Sequence, residues 1–542
     1  MLIPLALFCA SAAFVFWRNS QVGVLVDIAY PLNIATKIAA GDVPYRDFPL
    51  AQAPGEFLMQ ALLIKALGPH FGVQIAYATV LGGLATALTY VIVMRIIRGA
   101  LASPRAVAAI LTVPLVPLGI YAVYPHPFYD ADACLVVLIA IVAILAARDR
   151  PTPARWLVAG GLIAVPVFIK QNIGGAFLVL PVAALAAEAW ARVSARQGFR
   201  WCVAGLAVTL GALILALQLR IGVDHYLQWA WTFALAGRGV SLARFREFAD
   251  PLIVWPAALI VLLAFVSRLL QPRFRAPLFV AGLGSWLVAM VLAPTAFFEV
   301  PRLFPPLLIA ASVLALARAW REGPDFATLL PLVVVGTALG ALQSLGLNGS
   351  TFGIFPLLVV AIGSLVRELA WLIDRPARIA PLTGVVLALV LAVTGTAYTL
   401  QNFRLRFIDV NAPGPVMGSA FPSLAGLSAR GPYIADLDAI LFWIRDNVPA
   451  DESFVFLPGE DPAYYALGRR PPLPSVYFYD VATPYTPAEI ARFADEVGLR
   501  WVFVKDRLQL IEGPPLEESL VAALTEHAGL VARVGPYRIY RR

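Results

Sequence analysis

The side chains in this sequence that could do chemistry are scattered carboxylates and cations, most of them beside an apolar stretch. Asp27 follows the first such stretch, in VLVDIAYPLN. Arg46 and Asp47 stand together in GDVPYRDF, and Asp130 and Asp132 in YPHPFYDADA, close to His126. Lys170 lies in FIKQNIGG, and Glu299 and Arg302 lie in FFEVPRLFPP. A carboxylate can take the proton from an attacking hydroxyl, and arginine or lysine can neutralise a phosphate as it leaves. Both kinds of group at a water–lipid boundary suit transfer of a group from a lipid phosphate. Taken singly, each Asp also fits a solvated loop or a helix cap. Lys170 and Arg302 also fit as anchors whose charged ends reach for the interface.

Metal ligands are sparse. The chain has four histidines and no HxH or HExxH arrangement, and one His between prolines fits a loop residue. Asp47, Asp130 and Asp132 would orient an acceptor or bind a divalent cation; no other cofactor is indicated. Cys9, Cys134 and Cys202 form neither a disulfide framework nor a CxxC site. They are expected to be small buried apolar residues.

The elements that must position these groups are membrane spans. Hydrophobic residues make up 60% of the chain and charged residues 14%, against roughly 25% charged in soluble domains. A mean hydropathy of +0.80 leaves no material for the surface of one water-soluble core. Apolar blocks are expected to span near 2–17, 72–94, 106–123, 133–147, 156–169, 175–191, 201–217, 251–267, 278–294, 304–318, 326–342, 352–367 and 381–398, which makes thirteen. The first block lacks a basic region before it and has Arg18 after it, so it is expected to be a retained span.

Alternate loops are rich in arginine: Arg95, Arg98 and Arg105, then Arg148, Arg150 and Arg155, then Arg192, Arg196 and Arg200. The same side continues through Arg268, Arg273, Arg275, Arg318, Arg321, Arg367, Arg375 and Arg378. These loops should be cytoplasmic, and the odd number of spans puts the N-terminus inside and the C-terminal region outside. Most of the +8 net charge is thereby explained, and nucleic acid is not an expected partner.

The outer face should carry the chemistry. Its first loop, 18–71, holds a short apolar helix over 56–67 that is too brief to span and suited to the interface. Another long loop, 218–250, carries Tyr226, Trp229 and Trp231, which suit the headgroup zone. The membrane part is expected over 1–400. The region 401–542 should form a small outer α/β domain, with helices near 433–447 and 487–497, strands near 453–457 and 500–505, and a closing strand or hairpin over 530–540.

The order of these features resembles that of the GT-C membrane glycosyltransferases, which include protein O-mannosyltransferases and the lipid A aminoarabinose transferase. Asp27, then GDVPYRDF at 41–48, Ala53-Pro54 and an interfacial helix ending Leu67-Gly68 carry the resemblance. It extends to Asp130 and Asp132, to Lys170-Gln171-Asn172, and to YYALGRRPP at 464–472, which is similar to a YYLxGRxPP stretch of bacterial members. The resemblance implies a sugar moved from a polyprenyl-phosphate donor to an envelope glycan, lipid or protein at the bacterial inner membrane. It makes Asp27 the base and Lys170, Arg46 and Arg302 the groups for the donor phosphate. Two departures stand out: Asp27 precedes Ile28 where many members have Asp-Glu, and QAPG at 52–55 replaces a Glu-Lys before Pro-Pro. A secondary transporter, an envelope polymer ligase or polymerase, and a membrane scaffold are the competing classes. No internal repeat favours the first.

Overall fold

A computed structural model describes residues 2–237, 251–269, 300–345, 353–372, 379–400, 414–478, 483–509 and 518–542, with the isolated positions 274, 277 and 281. The chain begins with α1 (Leu2–Asn19), continues through two helices that do not span, α2 (Leu25–Ala39) and α3 (Gly55–Leu67), and enters the long α4 (Phe71–Ile97). Among the described residues eight helices are long and apolar enough to cross a membrane. Besides α1 and α4 they include Tyr129–Asp149, Gln171–Ala191, Phe326–Leu345, Phe355–Leu372 and Ile379–Leu400.

The thirteen expected spans are not all matched by such helices. Where a span was expected over 106–123, the chain forms Pro104–Thr112 and a single turn, Leu115–Leu118. Pro114 and Pro117 lack the N–H that a continuous helix would need. The expected span near 156–169 is a 16-residue piece whose last turn, Val165–Phe168, tightens to a 3-10 helix. The block expected at 278–294 falls, but for position 281, outside the described residues.

The bundle turns apolar side chains outward. Val208, Leu215 and Leu219 of the helix Arg196–Arg220 are exposed, as are Leu382, Leu389 and Val393 of Ile379–Leu400. Ridges of this kind are unstable against water and fit against lipid tails. Helices meet through small residues, as membrane packing requires. A Cβ on Gly83 of α4 would lie 2.8 Å from the Phe8 carbonyl oxygen of α1, and Ser11 Oγ donates to Thr86 Oγ1 between the same helices at 2.9 Å. At the end of α1, Arg18 Nη2 donates to the Thr399 carbonyl at 2.8 Å, tying the first helix to Ile379–Leu400. Cys134 and Cys202 are buried as expected, whereas Cys9 is exposed on α1.

The α3 helix is amphipathic in an unusual sense. Glu56, Phe57, Gln60 and Ala61 face inward, while Leu58, Met59, Leu62 and Leu67 are exposed. An apolar outer face on a non-spanning helix suits the interfacial plane.

The C-terminal region builds a four-stranded sheet in the order β3-β4-β6-β5, with β3 (Phe454–Leu457), β4 (Trp501–Lys505), β5 (Gly529–Val534) and β6 (Tyr537–Arg541). Two short strands, β1 (Val416–Gly418) and β2 (Ser428–Arg430), pair separately. β3 and β4 run parallel, joined by a connection that contains the helix Pro487–Glu496, and the other pairs are antiparallel. Alternation along the strands sends Phe454, Phe456, Trp501 and Phe503 to one face, against the helix Tyr433–Asn447 and Leu25, Ile28 and Leu32 of α2. Val455, Leu457, Val502 and Val504 face the helices Pro487–Glu496 and Glu518–Thr525. The sheet thus shares one apolar core with the helix that carries Asp27.

Candidate functional site

Asp27 sits in the first turn of α2, where a carboxylate is favoured by the helix N-terminus. Its neighbour is the Tyr124 hydroxyl, from the segment that leads into Tyr129–Asp149. Burial first, then the Asp27 charge, push the Tyr124 phenol well above its usual range, so it keeps its proton. The backbone before Asp27 is fixed from two sides. His126 Nε2 accepts from Val24 N at 3.3 Å, and Gln509 Oε1 accepts from Leu25 N at 2.6 Å while Gln509 Nε2 donates to Gly23 O at 3.0 Å. Burial, with a smaller contribution from Arg18, brings His126 down to about 3. It therefore works as a neutral acceptor.

Asp130 and Asp132, two residues apart, take different partners. Asp130 is buried and faces Lys170 Nζ at 3.4 Å. Lys170 caps the helix Gln171–Ala191, and its ammonium lies 4.1 Å from the centre of the Tyr129 ring. The two residues after Lys170 hold it in place. Gln171 Nε2 donates to the carbonyls of Ala51 and Ala230 at 3.1 and 2.9 Å, and Asn172 Nδ2 donates to Gly340 O at 2.7 Å. Asp132 accepts from Tyr77 Oη at 2.5 Å and from the Tyr121 hydroxyl. Tyr121 holds a left-handed backbone with φ of 63°, a conformation costly for a bulky residue.

Glu56, at the start of α3, completes this cluster. It is fully buried, accepts from Gln60 Nε2 at 2.9 Å, and stands beside Asp132. Burial first, then the Asp132 charge, raise its carboxyl well above the ordinary range. Glu56 therefore keeps its proton. Sequence reasoning placed Glu56 only in the interfacial helix; its being the one acid in an otherwise apolar segment was the available signal.

Arg46 and Asp47 remain at the surface and pair with each other at 2.8 Å. Asp47 also accepts from Val43 N. The neighbouring Asp42, buried, receives Lys37 at 3.0 Å and the forked guanidinium of Arg470. Lys37 in turn donates to the carbonyls of Pro471 and Leu473. The arginine-proline motif thus docks on α2. So does Asn33, which bonds Asp461 O and Tyr465 N. Arg302 belongs to the helix Val300–Glu322, but its side chain, like all of Glu299, lies outside the described residues. Tyr226, expected in the headgroup zone, is buried against Tyr45 instead.

A narrow cleft opens beside this cluster, lined by Tyr30, Phe48, Phe233, Ser475 and Tyr477 among others. Tyr30 and Tyr477 pack edge to face, and Tyr477 also lies near Tyr124. Through Tyr30 the cleft meets α2 one turn beyond Asp27. Among the described residues no three His, Cys, Asp or Glu side chains converge on a metal-sized position. Asp47, Asp130 and Asp132 take separate partners, and no step is assigned to a divalent cation.

Known proteins similar to this chain are found by structure. No family model matches the sequence, and no curated protein matches it. Among solved structures, the chain is similar to the oligosaccharyltransferase of Archaeoglobus fulgidus, with 12% identity and a TM-score of 0.49 over 92% of this chain and 68% of that one. It is also similar to ArnT from Cupriavidus metallidurans bound to undecaprenyl phosphate, with 14% identity and a TM-score of 0.48 over 99% of this chain and 97% of that one. Apo ArnT gives 12% identity and a TM-score of 0.45 with the same coverage. Likeness of this kind does not fix a reaction, so function has to come from the side chains.

Proposed function

We propose that the chain is a membrane glycosyltransferase of the GT-C kind. It moves a sugar from a polyprenyl-phosphate donor to an envelope glycan, lipid or protein, on the outer face of the bacterial inner membrane. In this orientation the N-terminus is cytoplasmic and the C-terminal α/β region is periplasmic. The observation that carries the proposal is the setting of Asp27: a half-buried carboxylate in the first turn of α2, beside the Tyr124 hydroxyl and one turn from a cleft lined by Tyr30, with a buried lysine on the same aromatic cluster.

The chemistry balances with these groups. The acceptor hydroxyl oxygen bonds to the anomeric carbon of the donor sugar, and its proton passes to Asp27. The bond between that carbon and the phosphate oxygen breaks, and its electron pair leaves with the polyprenyl phosphate. Lys170, oriented by Asp130 and the Tyr129 ring, offsets the growing phosphate charge. Arg302 and Arg46 are further candidates for the same phosphate. Asp132, held by two phenols and Glu56, shapes the segment that presents Tyr124 and His126. Asp47 lies on the rim, where an acceptor would approach.

The test is release of sugar from radiolabelled polyprenyl-phosphate sugars by purified protein in lipid, with crude envelope as acceptor. Release by the wild type and not by Asp27→Asn supports both the reaction and the base. Release by both proteins removes Asp27 from the role, and release by neither, with the protein folded, overturns the reaction class.

A further inference from the structure

The end of the bundle opposite Asp27 holds a cleft of about 640 Å³ lined by Arg95, Arg98, Arg148, Arg318, Arg367 and Trp371. These arginines come from four separate helices or their ends, so their convergence is a property of the fold. Only one carboxylate lines the same cleft, Asp149, and it meets Arg95 at 3.8 Å. Four further carboxylates pair with the lining arginines. Glu188 takes Arg148 at 2.6 Å, Glu322 takes Arg318 at 2.9 Å, and Asp325 lies 3.6 Å from Arg148. Glu368 is shared loosely between Arg318 at 3.5 Å and Arg367 at 3.7 Å.

Two guanidinium groups stay short of partners. Arg98 makes no ion pair within 4 Å among the described residues, although it lines the cleft. Arg367 is 9% exposed and donates through Nη2 to Thr328 Oγ1 at 3.1 Å. Its Nη1 is buried without a hydrogen-bond partner. An unmatched buried donor is costly, and a planar guanidinium suits phosphate oxygens. The depth of the cleft points to the source of the phosphate. Trp190 and Trp320, at this end of their helices, are 88% and 91% exposed, as expected of indoles at the headgroup level.

We propose that this cleft binds a phosphate-bearing anion, and that the phosphodiester headgroup of an anionic lipid in the facing leaflet supplies it. Basic pockets between spans recognise such headgroups through charge and hydrogen bonding. The site is separate from the Asp27 cluster, and its occupancy is read without any transfer reaction.

The experiment is retention of lipid by the purified full chain, measured by native mass spectrometry with phosphatidylglycerol or phosphatidylcholine of matched chains. Wild type should retain phosphatidylglycerol preferentially, and Arg98→Gln should lower that preference about fivefold, with Arg95→Gln/Arg98→Gln lowering it further. Both positions lie at the rim, and monodispersity on gel filtration checks the fold. A parallel thermal titration uses inorganic phosphate. A shift with phosphatidylglycerol alone assigns the site to the lipid headgroup. A shift with inorganic phosphate that the double variant loses keeps the anion site and makes free phosphate its source. Equal retention of the two lipids by wild type with no phosphate shift, or a preference unchanged in the double variant, overturns the proposal.

Discussion

Two buried lysines, one in the bundle and one in the C-terminal sheet, answer the cost of burial in different ways. Lys505 of β4 sits between Asp461 at 2.8 Å and Glu460 at 3.0 Å. Asp461 also accepts from Tyr537 Oη at 2.9 Å, and Glu460 accepts from Gln509 N at 2.8 Å. Burial works against the ammonium, but the two carboxylates outweigh it and hold the Lys505 pKa well above its ordinary value. Lys170 faces Asp130 at 3.4 Å and the π face of Tyr129 at 4.1 Å. A charge locked between two short contacts is suited to holding structure; on the proposed reading, the longer contacts of Lys170 leave it able to respond to an arriving phosphate.

The comparison can be broken most sharply at Asp27, the proposed base. Asp27→Asn is expected to lower transfer by about 10²–10⁴-fold with an unchanged thermal midpoint; a small loss would take the chemistry away from this cluster. In the sheet, Lys505→Met leaves two buried carboxylates without their cation. It should destabilise the C-terminal region by about 3–5 kcal/mol, seen as accelerated proteolysis there. A stable Lys505→Met protein would mean that the double pairing is not structural.

Lys170→Gln should raise the donor KM by about tenfold, equivalent to ~1.4 kcal/mol, with little effect on the acceptor. An equal effect on both substrates would return Lys170 to a packing role. The smallest expected effect concerns His126. Its folded value of about 3 lies below the ordinary ~6.5, so the unfolded chain takes the proton first. Its contribution to stability is complete above pH 6.5 and is lost as pH falls toward 3, by at most about 1.4 kcal/mol per unit. Thermal inactivation midpoints at pH 7 and pH 5.5 should therefore converge in His126→Gln; an unchanged gap would exclude this group as the cause.

Much of the architecture was legible because it depends on local composition. Hydropathy marked α4, Tyr129–Asp149 and Phe355–Leu372, since an uninterrupted apolar helix is the simplest way to satisfy a backbone in lipid. Alternation and amphipathic spacing marked the helix Tyr433–Asn447 and the strands β3 and β4, with β5 and β6 as the closing hairpin. The break at Pro114 and Pro117 was also written in the chain, but an apolar block of the right length concealed it.

The site was legible only as separate residues. Asp130 and Lys170 were each conspicuous as charges beside apolar blocks, yet 40 positions apart nothing local shows that they meet. Glu56 read as part of an interfacial helix, and Gln509 carried no signal in a polar stretch of the tail. The sequence by itself determined that this is a multi-spanning membrane protein with a small α/β region near its C-terminus, because lipid and water sort side chains segment by segment. Only the tertiary structure decided which carboxylate takes which partner, and that the tail clamps the backbone before Asp27. Those outcomes depend on distances between segments far apart in the chain, and a pattern of neighbours cannot encode them.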